Sequence, residues 1–242
     1  MLGFYGKIKA IHKLRTPHKT MLTLYQFNSC PFCWKVKALL NYTHQPYETV
    51  EVTPFGMPEL EFTEHKKVPV LKDGEQIITE SATIIEHIND NYSKLAINDD
   101  AKQWTAWVDD KLVHYLPPLI HPNFRTSFRN FGYILQDGQF GWLKEKFVRL
   151  MGSFIMPRVA TKMKLKHNID NVEKEYLAAI DHWVDKGLAG KAFFGDNKAD
   201  FVDCSVFGVL RSGDKLGAIS LAKSHNAEFA KWYDACYPMM NG

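Results

Sequence analysis

The feature that most constrains this chain is where its β-type patterning stops. Alternating runs rich in β-formers occur only between residues 21 and 79, and everything after about residue 95 has helical periodicity. Met21 to Phe27 alternates and reads as a strand. Cys30 and Pro31 follow, and then a helical run carries Val36, Ala38, Leu39 and Leu40 as its apolar members. Pro46 ends that unit, and Tyr47 to Val52 alternates again. Strand, helix and strand at this spacing form a βαβ unit, so the two strands should be parallel. Pro58 to His65 reads as a short helix. Val68–Leu71 and Gln76–Thr79 read as a hairpin, because Lys72-Asp73-Gly74-Glu75 has turn chemistry. Ser81 to Tyr92 reads as a helix with Ile84, Ile85 and Ile88 on one face. The expected order is β-α-β-α-β-β-α.

In the second half, Trp104–His114, Asn171–Asp185 and Asp200–Leu210 have helical spacing. Phe140–Met163 does too, with Gly152 and Pro157 expected to break or kink it. Asn197-Lys198-Ala199-Asp200 has the form of a helix start. The polar stretch Ala96–Gln103 is the expected boundary. Three segments result: a basic extension at 1–20, an α/β domain at 21–95, and an all-α domain at 104–242.

Charge is uneven along the chain. Residues 1–47 hold seven Lys or Arg and no Asp or Glu. Against a net charge of +3, the remainder is therefore net negative by four. The first residues read either as a basic arm touching an anionic membrane surface or as a solvated extension, with Leu2, Phe4, Tyr5, Ile8, Ile11 and Leu14 as an apolar stripe in both cases. No basic run is interleaved with stacking aromatics, which argues against nucleic acid. No stretch approaches the roughly 18 apolar residues of a membrane span. The four cysteines are too few for a disulfide framework and suit a reducing, cytoplasmic setting.

The chemistry-bearing motif is Cys30-Pro31-Phe32-Cys33, where a strand runs into a helix start. Unpaired N–H groups and the helix dipole favour negative charge there, so the first thiol should have a lowered pKa. Cys33, a turn further in, would resolve a mixed disulfide or pack. Two other readings fit the motif: inert core thiols, or half of a zinc clamp. The clamp lacks a second pair, since Cys204 and Cys236 are single and far apart and read as buried small hydrophobes. Val68-Pro69 opens a strand, with a cis bond and an ordinary edge proline both open. Glu80-Ser81 opens a helix, either as a cap or as a carboxylate pocket.

Taken in order, Cys30-Pro31-Phe32-Cys33, Val68-Pro69 and Glu80-Ser81 resemble the thioredoxin-like half of the glutathione transferase superfamily. The all-helical half and the Asn197–Asp200 cap fit the same architecture. Within that superfamily, the stretch from Leu22 to Leu40 is similar to the membrane-associated prostaglandin E synthases of type 2. So are Trp107–His114, Gly138–Gly141 and Phe193–Arg211.

The resemblance implies a glutathione-dependent transferase or isomerase acting on a small hydrophobic substrate, and a homodimer. Cys30 would face the glutathione sulfur and Phe32 would line the pocket. Val68 would pair with the peptide backbone, and Glu80-Ser81 would hold the γ-glutamyl end. Phe27, Phe32, Tyr115 and Phe124 are candidate linings for the second substrate. Haem is implied as a further ligand, with His114 near that pocket and Lys164 and Lys166 in a basic segment. The chain departs from the type-2 pattern in three ways. Phe27 stands where a tyrosine is expected, with Tyr25 two residues earlier on the same strand face. The long insertion between the halves and the hydrophobic N-terminal anchor are not evident. Two other functions remain open: a glutaredoxin-like thiol–disulfide oxidoreductase using Cys30 and Cys33, and a non-catalytic binding module.

Overall fold

The computed structural model describes residues 21–135 and 141–242. The expectations placed on the basic arm at 1–20, and on Gly138, Gln139 and Phe140, lie outside the described residues.

Strand β1 (Leu22–Gln26) leads through a turn into helix α1 (Pro31–Tyr42), and β2 (Tyr47–Glu51) returns beside β1. β1 and β2 are parallel, with Leu22 opposite Tyr47 and Gln26 opposite Glu51. β3 (Val70–Asp73) lies antiparallel on the other side of β1, and β4 (Gln76–Thr79) closes the hairpin. The sheet order is β2-β1-β3-β4. Helix α2 (Ser81–Ile88) follows and ends in a wide π-type turn over Asn89–Ser93. The helical stretch expected over Pro58–His65 is only a 3-10 turn at Pro58–Leu60. Glu59 instead spends its carboxylate on Thr53, taking its N–H at 2.8 Å and its hydroxyl at 2.6 Å.

The remaining regular elements among the described residues are helical, apart from a single bridge between Phe193 and Asp196. α3 (Asp99–Trp107) begins inside the expected linker, because Asn98 caps it by accepting from the Ala101 N–H at 2.8 Å. It continues through a π-type turn at Val108–Leu112 into α4 (Val113–Ile120). α5 (Phe124–Ile134) and α6 (Trp142–His167) form a hairpin, followed by α7 (Val172–His182) and α8 (Phe201–Arg211). α9 (Ala218–His225) and α10 (Ala227–Met240) complete the half. α6 runs unbroken through Gly152 and Pro157, contrary to the expected interruption. Gly152 is there to admit a neighbour: a Cβ on it would lie 2.4 Å from the Phe131 ring.

The two halves share one core. α1 buries Val36, Ala38, Leu39 and Leu40, at roughly 1.5–3 kcal/mol for each large side chain. Its outer face meets α8 at very short range. A Cβ on Gly208 would lie 2.6 Å from the Lys35 Cα and the Trp34 carbonyl oxygen. Beside that crossing the buried Lys35 ammonium reaches Asp109 at 2.5 Å. Trp183, Tyr176, Phe207, Phe229 and Tyr233 fill the interior of the helical half.

Candidate functional site

Sheet topology brings the three sequence motifs to one edge. β1 ends just before Cys30, β3 begins just after Val68-Pro69, and β4 ends just before Glu80. Tyr25 stands opposite Val70, and Val70 opposite Thr79. Continuing those registers places Val68 across from Phe27 and Glu80 across from Pro69. Tyr25, Phe27 and Val68 all pack on a small cluster of Val52, Leu60 and Val70. Tyr25 and Phe27 therefore share a strand face, as the alternation predicts. Tyr25 is further covered by Phe62, at 4.8 Å between ring centres.

Cys30 is the N-cap of α1, in extended conformation, with Pro31 in the first turn. Its backbone N–H donates to the Phe27 carbonyl at 3.0 Å, which fixes the turn. The side chain is partly exposed, whereas Cys33 is buried. The Cys30 pKa is lowered by a hydrogen bond from the Cys33 thiol, against burial, with help from the backbone N–H groups of Cys33 and Phe32. Cys33 goes the other way: burial, and its hydrogen bond to Cys30, hold it well above the ordinary thiol value. Cys30 is thus the more acidic of the two thiols, and Cys33 its hydrogen-bond donor. Cys204 and Cys236 are buried, and burial raises both.

The loop before Cys30 is held by a residue that the motifs do not reveal. Glu51, at the end of β2, accepts from the Asn28 N–H at 2.8 Å and from Gln26 Nε2 at 3.2 Å. Trp34 donates its indole N–H to the Asn28 carbonyl at 2.8 Å. The only sequence signal for Glu51 is an acidic side chain at the end of an alternating run.

The Val68–Pro69 peptide is cis. Glu80 caps α2 with φ of 64° and ψ of 127°, a left-handed region that costs a non-glycine residue of order 1–3 kcal/mol. Its carboxylate makes no capping bond to the helix and is mostly exposed, with His65 Nε2 3.9 Å away. Ser81 begins the helix proper. The first-turn N–H groups of α2 and an outward carboxylate beside them can together receive a zwitterionic amino acid end.

Of the other predicted residues, Phe32 stays beside Cys30 in the first turn of α1, and the rest lie elsewhere. Phe32 and Tyr115 pack against the main core. Phe124 is exposed on α5, with its ring on Phe154 at 4.5 Å. His114 stacks on His167, 3.7 Å between ring centres at 23°, and its pKa is lowered by burial and by the neighbouring His167 and Lys166. Lys164 lines a groove with Pro118, Leu119 and Asn171, which His114 does not line. The groove that Lys164 lines does not include His114, and the implied haem is not supported. No group of three or more potential ligands gathers to hold a metal among the described residues.

Residues 24–96 match the family model of the glutathione S-transferase N-terminal domain. Prostaglandin E synthase 2 of Danio rerio is 29% identical over 261 aligned positions, covering 88% of this chain and 69% of its own. The Mus musculus protein of the same name is 27% identical over 272 positions, covering 91% and 71%. Rice GST1, solved in complex with glutathione, matches the whole fold with a TM-score of 0.55 at 15% identity, over 90% of this chain and 87% of its own. Residues 24–96 thus match a glutathione S-transferase N-terminal domain, the chain has the two-part fold of the solved glutathione transferases, and over most of its length it is similar to prostaglandin E synthase 2.

Proposed function

We propose that this protein is a glutathione-dependent transferase or isomerase for a small hydrophobic substrate, with Cys30 at the glutathione sulfur. The observation that carries the reading is the gathering of the partly exposed Cys30, the cis Val68–Pro69 peptide and the Glu80-Ser81 helix start at one end of the sheet, with Cys30 lowered and Cys33 raised beside it. In this reading the α2 N-terminus receives the γ-glutamyl carboxylate, and the outward Glu80 carboxylate meets the γ-glutamyl ammonium. The Val68 backbone pairs with the tripeptide, and Phe32 lines the pocket beside Cys30. The first turn of α1, which lowers Cys30, also stabilises negative charge on a neighbouring sulfur. Phe27 supplies no hydroxyl, so an acid for an isomerisation step has to come from elsewhere. The related synthases and the glutathione-bound rice structure support the tripeptide and a hydrophobic co-substrate. Homodimerisation follows from the same kinship and is tested by sedimentation.

The hydrogen bond between Cys33 and Cys30 favours a second reading, thiol–disulfide exchange. Cys30 thiolate would attack the glutathione sulfur of a glutathionylated substrate, forming a Cys30–glutathione disulfide as the substrate thiolate leaves. A second glutathione would then attack that disulfide, freeing Cys30 thiolate and forming glutathione disulfide; on a disulfide without glutathione, Cys33 would displace the second substrate thiolate and close a Cys30–Cys33 disulfide that glutathione reduces. One pair of variants separates the readings. Cys30→Ser should lower glutathione-dependent turnover at least about a hundredfold in both, while Cys33→Ser should spare transfer to a hydrophobic electrophile and abolish only the reduction of disulfides that carry no glutathione, a reduction the transferase reading does not expect of the wild type. Full transferase activity in Cys30→Ser would overturn the role of the thiol. Failure to bind immobilised glutathione, with an ordinary alkylation pKa at Cys30, would leave a non-catalytic binding module.

A further inference from the structure

α6 is a helix without a roof. Of its 26 residues only Val148, Ser153 and Ala160 are buried. Fifteen large apolar residues are exposed among the described residues, and eleven of them lie on α5 and α6. They are not scattered. Leu143, Phe147, Leu150, Phe154 and Leu165 recur at spacings of 4, 7, 11 and 22 from the first, which is one stripe along a helix. That stripe is roughly 33 Å long at 1.5 Å per residue. Phe124 widens it by packing on Phe154. Cations flank it on both sides: Lys162 along one edge, where Lys144 donates to the Thr53 hydroxyl at 2.7 Å, and Lys146 and Lys164 along the other. Together α5 and α6 carry nine Lys or Arg and a single acid, Glu145.

These observations choose among occupants. A second copy docked face to face would set nine cations against nine, which repels at close range. Residues 1–20 carry five cations and no acid, so charge does not favour that segment either. A nucleic acid would neutralise the lysines but leave the aliphatic stripe in water. An anionic lipid surface satisfies both features at once. The stripe sits at the acyl boundary, and the flanking lysines reach lipid phosphates over their own methylene stems.

We propose that the α5–α6 hairpin is a peripheral membrane-binding face, selective for anionic phospholipid. The full chain, mixed with vesicles of phosphatidylcholine containing about 30% phosphatidylserine, should co-sediment at least about tenfold better than with phosphatidylcholine alone. The double variants Leu143→Glu/Leu165→Glu and Lys162→Glu/Lys164→Glu should each cut that binding about tenfold or more while leaving the thermal melt in place. Both pairs sit at the surface, so folding is spared. Trp142, 64% exposed at the start of α6, should give a blue-shifted emission on anionic vesicles that Trp142→Phe removes. Three results would overturn the proposal. One is no partition onto anionic vesicles. Another is partition undiminished by Leu143→Glu/Leu165→Glu, which would assign it to residues 1–20. The third is a dimer in vesicle-free solution that the same variant dissociates, which would assign the face to a second copy.

Discussion

Two helices of this protein answer opposite demands. α8 is buried from Phe201 through Leu210, pressed on α1 on one side and on the helical core on the other. α6 is more than twice as long, yet touches its neighbours along a narrow strip. All the faces of α8 are therefore inside. Its start is fixed instead by a capping box. Asp200 accepts from Val202 N–H at 2.8 Å, and the buried Asp203 accepts back from Asp200 N–H at 2.9 Å. α6 has apolar residues that do not face the core. Helix packing that is held from all sides tolerates almost no change, and packing along one strip tolerates a great deal.

The sharpest way to test that contrast is Asp203→Ala. The Asp203 carboxylate also accepts from Phe194 N–H and from the Trp232 indole at 2.7 Å, so alanine removes a cap and strands buried donors. A cap is worth about 1 kcal/mol and each orphaned donor about 1–3, so chemical denaturation should show a loss of about 4 kcal/mol. Burial pushes the carboxyl up to about 7 against these donors. A loss below 1 kcal/mol would mean that the cap does not hold the helix. Gly208→Ala comes next. Its Cβ would fall within 2.6 Å of α1 backbone, which cannot rotate away, so the two helices must part. Overpacking of this kind costs about 1–3 kcal/mol, and the same experiment reads it.

A titration tests the corner where α4 turns into α5. His121 is buried, with Nδ1 3.2 Å from the Ser127 hydroxyl, and burial lowers its pKa to about 4. An unfolded imidazole takes its proton near 6.5 while the folded one refuses it until about 4, so the unfolded state binds more protons in between. Stability is then fully present above about pH 6.5 and falls as pH drops toward 4. Between pH 7.5 and 5 the wild type should lose about 2 kcal/mol that His121→Asn does not lose. Equal pH slopes in the two proteins would mean that the ring is hydrated.

What the sequence made legible follows the same division. The βαβ unit, the hairpin and the cap at Cys30 rest on local chemistry, namely alternation, turn residues and Pro at a helix start, and all three are found. The gathering of Cys30, Val68-Pro69 and Glu80-Ser81 at one sheet edge follows from strand order once β3 is placed beside β1. Illegible features depend on partners far along the chain. Glu51 matters because Asn28 lies across the sheet, and Lys35 is buried because Asp109 arrives from α3 and its extension. Pro157 looks like a breaker in isolation. It is carried inside α6 because the flanking turns hold one continuous helix on α4 and α5.

The smallest expected effect tests the loose side of the comparison. Leu143 is 66% exposed in the first turn of α6. Leu143→Ser removes apolar surface that already faces water, so the transfer term is close to zero and leaves only a small change in helix propensity. Denaturation should report a change within about 0.5 kcal/mol. If the loss exceeded 2 kcal/mol, Leu143 would have to be covered in solution. The stripe on α6 would then be an internal contact rather than an open face, and its contrast with α8 would disappear.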